Sequence, residues 1–469
     1  MSLTEVTPSP APVSFRPAAP RRPDKPVGPI GFLLGMWTNP LSTWSRQSFE
    51  LPVVRADGVM GKVTVISDPA AIRHVFVDNV ANYRKDALQL RVLSPGLGNG
   101  LLTAEGDEWR AQRRALAPLF TPRVVETFEP AMIECAEWLT ARWAPLREGR
   151  RLDVSAEMSR VTLEVLQRTI FPAGLKRDPS DFATAMSRYF DRIGQVHPFD
   201  VLGLPKWAPR VGKRDTTREL RFFAEATADL VAERRATLDD RPDAPRPRDL
   251  LGLLLTARDP QTGEGLTEAE INANILTFIG AGHETTAAGL TWALYLLSQR
   301  PEWRARVEAE VDDVLAEGFR GPETIDRLVA VRATFEEALR LYPPAATLSR
   351  EAIGPDEVAG HAIRAGETIV VSPWVLQRHR TLWERPDDFV PERFMPGARD
   401  TIDRFTYLPF GAGPRVCIGM GFAMREGVIL LASMLRRFRF DLAPGHEVEP
   451  VQRITVRPRG GMPMILRHR

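Results

Sequence analysis

The longest helix predicted from the pattern of apolar and polar positions lies in the second half of the chain. Apolar residues recur there at helical spacing, at Ile271, Ile275, Phe278, Leu290, Leu294 and Leu297. Thr267 and Glu270 have the spacing of a capping box, and the pattern ends near Gln299, just before Pro301. A helix of roughly 33 residues is about 50 Å long, so it would cross the whole molecule.

Other helical segments surround this one. Residues 123–237 read as several amphipathic helices with breaks near Pro172 and Pro179 and between residues 198 and 209. Residues 85–102 show no steady period, which predicts a loop with room for one short helix. The charged, proline-rich residues 239–249 are typical of a solvated loop within a domain and do not indicate a domain boundary.

Strand patterns are short and widely separated. Residues 63–66 alternate as a strand, and Ser67-Asp68-Pro69 has the order of a helix cap. Residues 358–373 alternate around Ala365-Gly366, which predicts a hairpin, and residues 437–468 contain strand pairs with a turn at 460–463. The chain is therefore expected to be mainly α with small β-sheets (α+β), with a single domain over residues 30–469.

The centre of the long helix departs from the pattern of a core helix. Residues 280–286, Gly-Ala-Gly-His-Glu-Thr-Thr, insert small and polar side chains between two apolar stretches. Small residues would let a flat cofactor and a diatomic ligand approach, and a threonine hydroxyl can disturb backbone hydrogen bonding and hold water. The alternative is a kink satisfied by local hydrogen bonds. We expect His283 to be structural or solvent-facing, and not a ligand.

Residues 410–419, Phe-Gly-Ala-Gly-Pro-Arg-Val-Cys-Ile-Gly, present one cysteine just before an apolar helix. We interpret Cys417 as a thiolate ligand to haem iron, because backbone N–H groups at a helix N-terminus stabilise an anionic sulfur. Gly413 and Gly419 would let the backbone turn and approach closely. Arg415 would bind a haem propionate, and Phe410 would pack on the sulfur side. The alternative is a buried structural cysteine.

These segments resemble the cytochrome P450 family of haem-thiolate monooxygenases, of the soluble bacterial type. Residues 410–419 are similar to its haem-binding signature, Phe-x-x-Gly-x-Arg-x-Cys-x-Gly, and residues 281–286 to its oxygen-activation motif. The resemblance implies haem b between the long central helix and the helix after the Cys417 loop, with Ala281 and Gly411 in contact with it. It further implies that Thr285 acts in oxygen activation and that Glu284 relays protons.

Two further segments match this family's haem contacts. Trp109 and Arg113, four residues apart on one helix face, would grip a propionate; the alternative is ordinary surface pairing. Arg350 falls where some family members place another propionate-binding arginine, although a surface charge is the competing interpretation.

A structural motif completes the match. Glu337 and Arg340, three residues apart on a helix, precede Arg393 as in the family, which implies a buried Glu-Arg-Arg network that maintains the fold and the haem pocket. Phe278, Ala346 and Thr347 would touch the substrate.

Composition limits the setting. Lys and Arg total 62 against 60 Asp and Glu, which gives no electrostatic case for nucleic acid or an anionic membrane. Cys135, expected to be a packing residue, and Cys417 are the two cysteines, too few for a disulfide framework. The longest apolar run near the N-terminus, residues 30–37, is too short for a transmembrane helix. Residues 1–29 hold eight prolines and are expected to be disordered or extended. We expect a soluble cytoplasmic protein.

The resemblance implies insertion of one oxygen atom from O2 into an apolar organic substrate, by hydroxylation or epoxidation. A fatty acid, terpenoid, steroid or aromatic compound would each fit. The chain has no flavin- or nicotinamide-binding stretch, so electrons would come from a separate partner, a ferredoxin with its reductase, docking near Arg110 and Arg114. The alternatives are a haem-based sensor or carrier, a peroxygenase or isomerase, and a haem-free structural protein.

Overall fold

The computed structural model describes residues 15–58, 61–170, 185, 189, 192, 196–204, 216–239 and 249–469. The breaks expected near Pro172 and Pro179, and most of the loop expected at 239–249, lie outside these residues, as does the first part of the leader. Within the described part the fold is mainly helical with small sheets, so the predicted fold class is confirmed.

Helices make up most of the described chain. They are α1 (Pro29–Thr38), α2 (Pro69–Arg73), α3 (Ala87–Leu97), α4 (Gly106–Leu116), α5 (Pro122–Glu126), α6 (Glu129–Trp143), α7 (Val154–Ile170), α8 (Pro198–Val201), α9 (Thr217–Asp239), α10 (Leu250–Thr256), α11 (Glu268–Ser298), α12 (Pro301–Val314), α13 (Pro322–Asp326), α14 (Val329–Leu341), α15 (Pro373–Leu376) and α16 (Met420–Arg437).

The long helix predicted from the sequence is α11, which runs without interruption through residues 280–286. Its capping box forms: the Glu270 N–H donates to the Thr267 hydroxyl, and the Thr267 N–H donates to the Glu270 carboxylate. It packs against α7, α14 and α16 in the main hydrophobic core. A Cβ on Gly289 would come within 2.9 Å of the Phe335 ring on α14, so the glycine permits this close packing. The central helix therefore supports most of the molecule.

The strands form four small sheets. They are β1 (Val53–Gly58), β2 (Gly61–Ile66), β3 (Tyr83–Arg84), β4 (Arg150–Asp153), β5 (Leu348–Ala352), β6 (Asp356–Val358), β7 (His361–Ile363), β8 (Thr368–Val371), β9 (Phe438–Leu442), β10 (Pro450–Gln452), β11 (Val456–Pro458) and β12 (Pro463–His468). The sheet orders are β1-β2-β8-β5-β3, β4-β12-β9, β6-β7 and β10-β11.

The hairpin predicted around Ala365-Gly366 is wrong. β7 pairs with β6 across a turn at Ala359-Gly360, and β8 instead pairs in parallel with β2 and antiparallel with β5. Both turn residues have positive φ, 50° and 75°. The partners of β8 come from distant parts of the chain, which local alternation does not reveal. The strand pairs expected in the C-terminal tail are present.

Two elements differ from the expectation for their segments. Residues 85–102 contain the eleven-residue helix α3, whose start is capped by the Asp86 carboxylate accepting from the Leu88 and Gln89 N–H groups. β4 lies within the stretch predicted to be helical, because β12 from the C-terminus pairs with it.

The described part of the leader, residues 15–28, has no helix or strand and lies across the body of the protein. The Phe389 N–H donates to the Phe15 carbonyl oxygen at 3.0 Å, and the Tyr342 hydroxyl donates to the Ala18 carbonyl oxygen at 2.7 Å. Among the helices in the described ranges, none combines the length and apolar character needed to cross a membrane.

Candidate functional site

The Cys417 loop is closed by its own backbone. The Cys417 N–H donates to the Phe410 carbonyl oxygen at 2.9 Å. Gly411 and Gly413 have φ of 76° and 70°, and a Cβ on Gly413 would lie 1.9 Å from the Phe76 carbonyl oxygen. Only glycine therefore fits at residue 413, and the turn that it makes places the cysteine just before α16.

The Cys417 thiol is accessible, although it lies below the molecular surface in a cleft. Burial raises its pKa, whereas the Gly419 N–H and the positive charge of Arg113 lower it. Gly419 has φ of −88°, and no protein atom lies within 4 Å of an added Cβ, so protein packing does not require glycine there. Cys135 is fully buried on α6, and burial raises its pKa to about 12, as expected for a packing residue.

Arg415 pairs with the start of α4. Its guanidinium lies 4.1 Å from the centre of the Trp109 ring, 2.9 Å from the Glu105 carboxylate, and donates to the Ala104 carbonyl oxygen at 3.1 Å. Trp109 thus stacks on Arg415. Arg113, one turn further along α4, is half-buried and has no ion-pair partner in the described part of the chain. Burial lowers its pKa.

Lys85 and Arg350 lie close to Arg415. Burial and the charges of these two arginines lower the pKa of Lys85 to about 7, and burial and the charge of Arg415 lower the pKa of Arg350 to about 10. The Lys85 ammonium donates to the Leu102 carbonyl oxygen, and the Arg350 guanidinium lies over the Phe76 ring. No motif marks Lys85 in the sequence, so only its burial in the structure identifies it.

These cations test whether the cleft suits haem b. Lys85, Arg113, Arg350 and Arg415 are opposed by two carboxylates, Asp86 and Glu105, so positive charge is in surplus even though Lys85, with a pKa of about 7, is only partly protonated at neutral pH. Two propionates would balance that surplus. The residues present therefore fit a cofactor that carries two carboxylates, such as haem b, beside the Cys417 thiol.

The centre of α11 is open on one side. Ala281 is exposed and Glu284 and Thr285 are half-buried, whereas Gly280 and Thr286 are buried. The Thr285 hydroxyl donates to the Ala281 carbonyl oxygen at 2.6 Å, one turn earlier. The helix accommodates this small and polar segment without a break, because the hydroxyl is satisfied by the helix itself.

Glu284 points to the C-terminal hairpin formed by β10 and β11. The Thr455 hydroxyl donates to its carboxylate at 2.9 Å, and the Arg457 guanidinium lies 3.8 Å from the same oxygen. Arg457 is about one-third exposed, so a charged side chain links the half-buried carboxylate to solvent. Neither partner was identified from the sequence.

Two other buried titratable groups flank this segment. Glu426 on α16 is buried beside Thr286, and burial raises its pKa well above the usual carboxyl range. His283 is buried and faces α7, where the Thr162 hydroxyl donates to its carbonyl oxygen. Burial lowers the pKa of His283 to about 4, which makes it a neutral structural residue and not a solvent-facing one.

Glu337, Arg340 and Arg393 form one cluster. Arg340 donates twice to the Glu337 carboxylate, at 2.6 and 2.7 Å, and both side chains are fully buried. Arg393 is 3.8 Å from the same carboxylate, which also accepts from the Val390 N–H at 2.8 Å. The cluster ties α14 to the segment that leads to the Cys417 loop.

The three residues expected to touch substrate differ in accessibility. Phe278 is 8% exposed and packs edge-on against Phe120, and Ala346 is 1% exposed, so both lie within the core. Thr347 is half-buried. Of the two arginines expected at a docking surface, Arg110 is exposed, but Arg114 forms a bidentate pair with Asp259.

Comparison with known proteins gives a consistent result. A family model described as Cytochrome P450 matches residues 20–463. Cyclooctatin synthase of Streptomyces melanosporofaciens is 35% identical over 364 residues, covering 76% of each chain. Cyclooctat-9-en-7-ol 5-monooxygenase of the same organism is 30% identical, covering 89% of this chain and 88% of the relative. Protein LUTEIN DEFICIENT 5, chloroplastic, of Arabidopsis thaliana is 31% identical, covering 83% and 67%.

Proposed function

Because this chain belongs to the cytochrome P450 family of haem b monooxygenases, we propose that it inserts one oxygen atom from O2 into an apolar organic substrate. Of the two reaction types, we favour hydroxylation over epoxidation. The observation that carries the proposal is the presence of both an accessible thiol at Cys417 and a half-buried acid and alcohol, Glu284 and Thr285, in the centre of α11. A sensor or carrier would need the thiol but not the acid and alcohol.

In this proposal Cys417 would bind the haem iron, and Lys85, Arg113, Arg350 and Arg415 would hold the propionates. The thiolate-bound haem supplies the redox chemistry, since a thiolate donates electron density that favours O–O cleavage. Of the cations, Arg415 is already oriented by the Trp109 ring and the Glu105 carboxylate. Preoriented cations bind an anionic group without first having to be ordered.

Glu284 and Thr285 would deliver protons to the reaction site. Thr455 and Arg457 hold the Glu284 carboxylate toward the C-terminal hairpin and, through Arg457, toward solvent. The Thr285 hydroxyl donates to the Ala281 carbonyl oxygen, and its own oxygen remains free to accept a hydrogen bond from water in the cleft. Proton delivery by a positioned acid is worth typically 10²–10⁴-fold in rate.

The substrate class rests on the relatives. One relative is, by its name, a 5-monooxygenase of cyclooctat-9-en-7-ol, a cyclic unsaturated alcohol. Compounds of that kind are the first substrates to test among the fatty acids, terpenoids, steroids and aromatics that an apolar pocket would admit. We further propose a cytoplasmic protein that takes electrons from a ferredoxin, with exposed Arg110 at the docking surface.

The test is the difference spectrum of the dithionite-reduced, carbon-monoxide-bound protein beside that of Cys417→Ala. A strongly red-shifted Soret band that is lost in the variant supports thiolate ligation. A histidine-like spectrum in the wild type contradicts it. With ferredoxin and reductase supplied, a monooxygenase consumes reduced nicotinamide in a substrate-dependent manner, whereas a sensor does not. An isomerase would form product without O2.

A further inference from the structure

We propose that a second site, which shares no residue with the Cys417 cleft, binds a phosphate-bearing anion between the leader and the body of the protein. The site is a surface cleft of about 870 Å³. Its lining includes six arginines, which are Arg16, Arg21, Arg22, Arg46, Arg378 and Arg380. Three acids, Asp24, Glu50 and Asp387, also line it. The inference does not rest on the proposed function, because it uses none of the haem-site residues.

Asp387 is surrounded by three arginines. Arg22 donates to both of its oxygens, one of them at 3.1 Å, and Arg380 lies 3.2 Å from it. Arg378 reaches the same carboxylate only at 4.0 Å. One carboxylate thus faces three guanidinium groups and cannot balance the charge of all three.

Arg378 is a buried cation with an unsatisfied hydrogen-bond donor. Its side chain is 2% exposed and lies over the Trp374 ring at 3.7 Å, yet its Nη1 has no hydrogen-bond partner among the residues that the structure describes. Burial lowers its pKa to about 9, so it stays charged at neutral pH. A buried charged group without a full set of partners is costly, and an anion in the cleft would relieve that cost.

The cleft chemistry favours phosphate over a simple halide. Guanidinium groups bind phosphate oxygens through paired N–H donors, and arginines on three chain segments can surround one tetrahedral group. Arg21 and Arg22 come from the leader, Arg46 follows α1, and Arg378 and Arg380 follow α15. The volume admits a molecule as large as a small phosphorylated metabolite.

Occupancy of this cleft should stabilise the fold. The carbonyl oxygens of Gln377, Pro386 and Asp388, which accept from Arg340, are on residues adjacent in sequence to Arg378 and Asp387. An anion that orders Arg378 and Asp387 therefore orders the backbone that holds the buried Glu337–Arg340 pair. A ligand that binds only the folded state raises the unfolding temperature in a saturable way.

The experiment compares pyrophosphate with sodium chloride at equal ionic strength, using the full-length haem-loaded protein. We expect a saturable rise of the unfolding temperature with pyrophosphate alone, and a calorimetric Kd that rises about tenfold in Arg380→Gln. Asp24→Asn, which removes an exposed acid and frees Arg46, should lower the Kd several-fold. Arg320→Gln, an exposed arginine paired with Glu317 elsewhere, is the control and should bind as the wild type does.

Equal stabilisation by both salts, no pyrophosphate binding, or the same Kd in Arg380→Gln and Arg320→Gln would overturn the proposal. Arg380 is 42% exposed, so its variant should fold even where Arg378→Gln does not. Lipid headgroups carry the same phosphate chemistry. Sedimentation with phosphatidylglycerol vesicles, abolished in Arg380→Gln, would assign the anion to a membrane surface; pyrophosphate binding without sedimentation would assign it to a soluble compound.

Discussion

Replacing Glu337 by glutamine removes one negative charge from an ion pair with Arg340 that has no contact with solvent. Arg340 donates to both Glu337 oxygens at 2.6 and 2.7 Å, and neither side chain is exposed. Arg340 also donates to three backbone carbonyl oxygens, at 2.6–2.9 Å. Arg393, 3.8 Å from Glu337, would lose its carboxylate as well. The variant therefore removes the carboxylate that Arg340 and Arg393 share.

The cost follows from the burial of the pair. Breaking a buried ion pair on one side typically costs about 3–5 kcal/mol, because the remaining charge is uncompensated. The three carbonyl acceptors keep part of the solvation of Arg340, so we expect the lower end, about 3 kcal/mol. With about 2 cal/mol/K of unfolding entropy per residue, a chain of 469 residues should then melt about 3 °C lower.

Scanning calorimetry and urea denaturation of the haem-loaded protein provide the assay. The control is Glu317→Gln, which breaks an exposed pair with Arg320 of the same i,i+3 spacing, at 2.8 Å, with both side chains about two-thirds exposed. That variant should change stability by less than about 0.5 kcal/mol. If Glu337→Gln and Glu317→Gln unfold at the same denaturant concentration, the reasoning from buried charge is refuted.

Three further predictions follow from single contacts. Arg457→Gln removes the cation beside the Glu284 carboxylate, so it should lower the product formed per reduced nicotinamide by about tenfold and release more peroxide. The control is Arg459→Gln, directly after β11, which breaks a pair with an exposed acid and should leave both quantities unchanged. The pKa of His283 is about 4 in the folded protein and near 6.5 in the unfolded chain. The unfolded chain therefore binds the proton first as pH falls, and the free energy of unfolding should decrease by about 3 kcal/mol between pH 6.5 and pH 4. His283→Met should therefore flatten the dependence of urea denaturation on pH in that range. Gly413→Ala should abolish stable haem loading, measured by absorbance, because its Cβ would collide with the Phe76 carbonyl oxygen.

Each of these predictions has an outcome that contradicts it. If Arg457→Gln and Arg459→Gln form the same amount of product per reduced nicotinamide, Arg457 has no role in positioning Glu284. An unchanged acid-denaturation profile in His283→Met would show that the imidazole is not buried neutral. Normal haem content in Gly413→Ala would show that the loop has room for a side chain at that position.

Local features of the fold were predictable because they depend on residues close in sequence. The capping box at Thr267 and Glu270 and the Asp68-Pro69 start of α2 form as expected. The length of α11 follows from the apolar spacing on both sides of its polar centre. The segment over residues 85–102 was underestimated as helix, since leucines, glycines and Pro95 obscure the period that α3 follows.

Pairing between distant segments was not predictable in the same way. The strand at residues 368–371 alternates as a hairpin partner should, but its hydrogen bonds go to β2 and β5. A lysine at 85 looks like any surface cation until the fold buries it beside Arg350 and Arg415. Likewise, nothing near Glu284 in the sequence indicates that Thr455 and Arg457 hold it.

The sequence alone therefore determined the chemistry that this protein carries: a cysteine on a glycine-rich turn, an acid and an alcohol on one helix, and a Glu-Arg pair spaced for one helix face. These depend on periodicity and on turn conformation, which act over a few residues. The tertiary structure decided which charges meet, because ion-pair partners, strand neighbours and burial arise only when segments hundreds of residues apart pack together. Burial also sets the cost of each charge, and so separates the Glu337–Arg340 pair from an exposed pair of identical spacing.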